Sequence, residues 1–226
     1  MTPDDALAVL RGAAEPTQAE SKAAYHKQTR PVLGVPNPVI NDLTKAWRQS
    51  LSVEQRIALA DGLWTTDIFE ARIAASKVLT QARIRPDDAV WELIVGWVPD
   101  FDSWAIADHA CAAGQKRLVA APGRLDLVEG WITSPHMWTR RSAMVISLPW
   151  AKLNNPKPAD VERREQILEW AAKLVPDRDW FIQKCIAWWV RDLSKRAPDR
   201  ARMFLSEYGD AMKPFARREA GKYLSK

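Results

Sequence analysis

The chain has 226 residues, 47% hydrophobic and 27% charged, which is enough to bury a sizeable core and excludes a disordered or fibrous protein. No apolar run approaches the ~20 residues of a membrane span, and Met1-Thr2-Pro3-Asp4-Asp5 lacks the basic, then apolar, pattern of a secretion signal. The net charge of +5 hides an asymmetry: residues 1–113 carry 11 Lys+Arg against 15 Asp+Glu, and residues 114–226 carry 22 against 13.

A basic half suits a polyanion such as nucleic acid, although a solvated basic face without a partner has the same composition. Two cysteines, Cys111 and Cys185, lie far apart inside helical patterns. That is neither a disulfide framework nor a zinc motif, so a reduced, cytoplasmic setting is expected. Twelve tryptophans are an unusual number; many should be core, yet the number raises the question of whether some line a groove.

In chain order, residues 3–13 and 17–28 read as two short helices, with Thr17 as N-cap and Glu20 closing a capping box. Arg30-Pro31-Val32-Leu33-Gly34-Val35-Pro36-Asn37-Pro38 reads as an ordered loop, because three prolines fix φ and remove donors. A third helix covers 39–49. From Ser52 onward the pattern becomes pairs of helices with almost no strand signal: 52–64 with 67–81, and 86–98 with one opening at Asp102. Pro122-Gly123 and Ser134-Pro135 bracket a short helix and the start of a longer one; 158–175 pairs with 177–195, and 198–208 with 214–225.

The second helix of each pair begins alike. Phe69-Glu70-Ala71-Arg72, Trp138-Thr139-Arg140-Arg141, Phe181-Ile182-Gln183-Lys184 and Phe215-Ala216-Arg217-Arg218 each set a cation three residues after an aromatic. Trp104 keeps the aromatic, but Ala107 stands in the cation's place and Asp108 follows. Such spacing marks stacked helical-hairpin repeats, an all-α solenoid with one curved surface lined by equivalent helices. The expected organisation is one repeat domain over 1–226, with N-terminal helices to residue 51 and about five hairpins after it. Arg72, Arg141, Lys184 and Arg218 would form a ladder of cations on the concave face, unless they pair with acids on neighbouring helices. Trp104 and Asp108, at i and i+4, share one helical face. An indole beside a carboxylate suits a cation, whereas the plainer reading is a core Trp and an Asp in a surface ion pair.

The blocks Tyr25-His26-Lys27 with Leu33-Gly34-Val35, Ser103-Trp104-Ala105-Ile106-Ala107-Asp108, Trp138-Thr139-Arg140-Arg141-Ser142-Ala143, Phe181-Ile182-Gln183-Lys184-Cys185-Ile186-Ala187-Trp188 and Arg217-Arg218-Glu219-Ala220 follow in this order. In them the chain resembles the AlkD-like DNA alkylation repair family, HEAT-repeat alkylpurine DNA glycosylases. The resemblance implies that Trp104 and Trp188 cup the deoxyribose of the damaged nucleotide. It further implies that Asp108 stabilises the cationic sugar and positions water, and that Arg141 holds the DNA backbone. Tyr25, Arg217 and Arg218 match residues near DNA, and the partner implied is duplex DNA carrying alkylated bases. Two positions depart from the family: Ser103 stands where many members have a second Trp, and Pro36 stands where some have a polar residue.

The chemistry is coherent in its own terms. Alkylation at N3 or N7 gives the purine a positive charge, so it leaves as a neutral base and needs no general acid. What remains is to stabilise an oxocarbenium-like sugar, which one ionised carboxylate and an aromatic face can do. No cofactor or metal is expected, since His26, His109 and His136 lack ligand spacing and read as surface or groove residues. The family is described as excising without flipping the base, and the chain is expected to act as a monomer. Two other readings remain open: a non-catalytic DNA-structure-binding repeat protein, which would bind duplexes without releasing bases, and a protein-protein scaffold, which would bind acidic peptides and ignore DNA.

Overall fold

The computed structural model describes residues 1–224, and among them it is all-helical, with no strand. Fourteen α-helices follow one another: α1 Pro3–Gly12, α2 Pro16–His26, α3 Asn37–Ser50, α4 Val53–Thr65, α5 Phe69–Leu79, α6 Asp88–Trp97, α7 Trp104–Ala120, α8 Leu125–Glu129, α9 Met137–Ile146, α10 Leu148–Lys152, α11 Pro158–Leu174, α12 Trp180–Ser194, α13 Pro198–Tyr208 and α14 Pro214–Ala220. They divide into two compact units, Met1–Ala120 and the chain from Ala121 on. No helix among the described residues is long and apolar enough to cross a membrane.

Within each unit the second helices of the pairs pack side by side, as stacked hairpins require: α5 against α7 in the first, α12 against α9 and α14 in the second. Helix α5 also meets α3 and α4, and is buried almost throughout. Its Ala71, Ala74, Ala75 and Ser76 allow this, because small side chains let neighbouring helix axes approach. Seven of the twelve tryptophans (Trp47, Trp64, Trp91, Trp97, Trp150, Trp170 and Trp189) are core residues. Trp104, Trp131, Trp138 and Trp188 are half-buried and Trp180 is exposed. Four of these five lie on α7, α9 and α12, the second helices.

Several helix starts differ from expectation, each for a local reason. Helix α2 opens at Pro16 after Glu15, not after Thr17. Proline at the first position sacrifices only an N–H that would have no helical partner, and the Glu15 N–H is already bonded to the Leu33 carbonyl at 3.1 Å. Asp67 does not open α5: it takes a left-handed φ of 54°, and the helix begins at Phe69. Asp102 does not open α7 either. The Ser103 carbonyl accepts the Ala107 N–H at 2.9 Å, which leaves Asp102 facing Arg30. The long helix expected after Ser134-Pro135 breaks at Ser147, because Pro149 cannot donate to the ladder. The Ser52–Gln55 capping box forms as read. The last helix closes at Ala220, and Ser225, its expected end, lies outside the described residues.

Candidate functional site

In the first unit the site is built around the start of α7. Trp104 and Asp108 are both half-buried and stand one turn apart on the same helix face. The loop before them is anchored by Arg30, whose Nη1 and Nη2 each donate to one Asp102 oxygen at 2.7 Å. The Arg30 Nε donates to Asp67 Oδ1 at 3.0 Å, and Arg72 Nη2 meets that same oxygen at 3.0 Å. Paired guanidinium donors of this kind fix direction as well as distance. Trp104 is two residues from the clamp, so its entry into the helix is set by it.

Rings surround Trp104. His26 lies 4.9 Å from it, centroid to centroid, and 4.8 Å from Phe69, while Tyr25 meets Trp104 edge-on at 6.0 Å. Tyr25 and His26 occupy the last turn of α2, which ends where Lys27 turns left-handed (φ 51°) and Gln28 N–H bonds back to the Ala23 carbonyl at 2.9 Å. Beside these rings is a cavity of about 250 Å³, lined in part by Lys22, Glu70 and His109. Its rim loop, Leu33-Gly34-Val35, is held from two sides. The Glu70 carboxylate accepts the N–H groups of Leu33 and Gly34 at 2.8 Å each, and Lys22 Nζ donates to the carbonyls of Gly34 and Val35 at 2.9 and 2.6 Å. Sequence reading passed over Lys22, Glu70 and Arg30. Lys22 and Arg30 lie close to the Tyr-His-Lys and Leu-Gly-Val blocks, and Glu70 falls inside the Phe69-Glu70-Ala71-Arg72 block, but neither place marks a role.

None of the three histidines is fully exposed. Burial, then the charges of Lys77 and any proton on His26, push His109 down to about 4. His26 is lowered as well, by burial and then by Lys22. Both rings are therefore neutral at physiological pH and add no positive charge beside Trp104. The unfolded chain takes up the His109 proton near 6.5, so stability should fall as pH drops from there toward about 4, and no further below. This contribution amounts to about 2–3 kcal/mol between about pH 7 and about pH 4.5. His109→Gln should flatten that part of the profile, measured by urea denaturation at the two pH values.

In the second unit the recurring aromatics, with Trp180 between two of them, form a continuous run of ring contacts. Trp138 contacts Phe181 at 4.7 Å, Phe181 contacts Trp180 at 5.0 Å, and Trp180 contacts Phe215 at 5.6 Å. The sequence repeat is thus a ring from each second helix resting on the next. The cations that follow these rings are not equivalent rungs. Lys184 and Arg218 are exposed, and Lys184 Nζ lies 4.7 Å from the Trp180 ring centroid. Arg217 is exposed and paired with Asp210. Arg141 is only 3% exposed, with its guanidinium 5.7 Å from Trp138. In the first unit, Arg72 is buried over Trp64 at 4.7 Å and paired with Asp67. The expected ladder of four exposed cations therefore fails at Arg72 and Arg141, because an arginine three residues after a packed ring can fold its guanidinium onto local aromatic faces and carbonyls. Trp188, half-buried on α12, donates its indole N–H to Asp192 at 3.0 Å.

Residues 6–224 match the family described as DNA alkylation repair enzyme. A solved structure described as a predicted DNA alkylation repair enzyme from Enterococcus faecalis aligns with a TM-score of 0.78 at 21% identity, covering 94% of this chain and 97% of its own. AlkD2 from Streptococcus mutans aligns with a TM-score of 0.63 at 18% identity, over 84% of this chain and 91% of its own. At such identities the likeness is one of fold. No curated protein matches the chain. The family match, running over nearly the whole length, makes this chain a member of the DNA alkylation repair enzyme family.

Proposed function

We propose that the protein is a monofunctional DNA glycosylase that releases N3- and N7-alkylpurines from duplex DNA without base flipping. Family membership supports DNA alkylation repair. The observation that carries the finer reading is the half-buried Trp104–Asp108 pair on one face of α7.

The reaction breaks the C1′–N bond. Its electron pair moves onto the cationic purine and neutralises it, while positive charge develops on the sugar. Asp108 stabilises that charge and orients water. The water oxygen bonds to C1′ and its proton passes to solvent, so a hydroxylated sugar and a free base result. A carboxylate in a partly dehydrated place acts more strongly than one in open water, since surrounding solvent screens it less. The Trp104 face adds about 1–2 kcal/mol of cation–π stabilisation where desolvated. By resemblance to the family, Trp188 supplies a second aromatic face; Arg141, 3% exposed and lying beside Trp138, is not among the DNA contacts. Exposed Tyr25, Lys184, Arg217 and Arg218 complete the DNA contacts; Arg72, turned inward onto Asp67, instead supports the loop before α5.

The test is base release from methylated duplex DNA together with the salt dependence of binding. Wild type should release N7-methylguanine and N3-methyladenine. Lys184→Gln and Arg218→Gln should each reduce the slope of log K against log salt by about 0.9 on undamaged duplex. Binding without release from methylated DNA would favour a non-catalytic DNA-binding repeat protein instead.

A further inference from the structure

The spacing that singles out Trp104 and Asp108 occurs a second time, and there it is put to a different use. Trp188 and Asp192 also stand four apart on one helix, α12. Asp192 is 7% exposed, and its carboxylate accepts the Trp188 Nε1–H at 3.0 Å. Three cations converge on the same carboxylate: Lys152 from α10 at 3.6 Å, Lys195 just beyond α12 at 3.6 Å, and the Arg191 Nε at 3.8 Å. The Lys152 ammonium also lies 5.7 Å from the Trp188 ring centroid. Arg191 is held in turn by Glu219 of α14.

A carboxylate so enclosed, bonded to the indole and flanked by three cations, is a poor candidate for a second catalytic acid or base. It is well placed to act on the indole. One bond to Nε1 fixes the ring's rotation about its side-chain torsions, and charge-assisted bonds are the stronger and more directional kind. The same group gathers Lys152 against the ring. Removing it would leave a half-buried indole N–H without its acceptor, a costly state.

We propose that Asp192 is the positioning residue of Trp188, fixing the indole plane through its hydrogen bond before DNA is bound. The proposal rests on the reading that Trp188 faces the deoxyribose, and it concerns how that face is held. An aromatic surface displaced by a fraction of an ångström costs rate with little change in affinity.

The experiment uses the full chain labelled with ¹⁵N, in which loss of one indole resonance in Trp188→Phe identifies the Trp188 Nε1–H. Asp192→Leu should shift that resonance and speed its hydrogen exchange, with the other indole signals reporting that the fold is kept. It should lower kcat for base release about 10- to 100-fold while KM stays within about threefold. Asp192→Asn keeps an acceptor oxygen and should hold both the resonance and kcat within about threefold. In the Trp188→Phe background, Asp192→Leu should add less than about twofold, since the bond it removes is already gone. An unmoved Trp188 resonance in Asp192→Leu would overturn the proposal, as would full additivity in the double variant. If Asp192→Leu does not fold, an Asp192→Asn variant that loses the resonance's protection overturns it equally. Unchanged release by Trp188→Ala, with the resonance still sensitive to Asp192, would instead overturn the sugar-facing reading and leave the positioning intact.

Discussion

Asp108→Asn should fold, bind duplex DNA as wild type does, and release N7-methylguanine about 100- to 1000-fold more slowly, the loss typical when one preorganised electrostatic group is removed from a transition state. Asparagine has nearly the same shape and keeps a carbonyl oxygen, so α7 and the neighbouring Trp104 have no reason to move. What disappears is the full negative charge. Half-buried, Asp108 is partly shielded from water, so its field at a developing sugar cation is damped less than at an open surface. The neutral state of His26 and His109 leaves no imidazolium nearby to oppose it. Single-turnover release from methylated duplex, beside a binding isotherm on undamaged duplex, separates the two effects. Unchanged release would sink the catalytic assignment.

The second large effect is on stability. Gly34→Ala should cost about 3 kcal/mol or more, since it combines a strained left-handed conformation with a steric clash. Gly34 sits at φ +83°, and a Cβ there would overlap the Glu15 carbonyl oxygen and lie 2.9 Å from the Ala19 nitrogen. Those atoms are backbone at the start of α2 and cannot swing away as a side chain would. Movement of the loop would also break the two bonds to Glu70 and the pair from Lys22. The contrast is Gly96→Ala. Gly96 lies exposed near the end of α6 with nothing within 4 Å of a built Cβ, and alanine there should stabilise by up to about 1 kcal/mol. Chemical denaturation of both variants checks the pair, and a Gly34→Ala loss below that of an ordinary surface substitution would refute the argument.

The helical pairs were legible in the sequence because proline and capping residues punctuate them: Pro158, Pro198 and Pro214 each open a helix as read. Trp104 and Asp108 were legible because i,i+4 spacing fixes a shared face whatever the surroundings. The fate of the cations was not. Whether Arg72 faces solvent or lies over Trp64 depends on a left-handed Asp67 and on the loop containing Asp100, and no periodicity records such partners. The Thr17 cap failed for a similar reason, since a long-range bond to Leu33 had already ordered Glu15. Asp192 was overlooked although its spacing from Trp188 repeats the opening motif, because spacing alone does not reveal whether a carboxylate is enclosed.

Arg30 has a consequence for how the first unit comes apart. In a repeat array each unit touches only its neighbours, so stability is roughly a sum of local terms. Here one side chain, 8% exposed, ties the segment before α3 to the turn before α5 and to the loop before α7. Releasing any one of these segments would strand a buried guanidinium without part of its acid partners. The first unit should therefore unfold as a single cooperative block, and a chain lacking one of its hairpins should lose the block entirely.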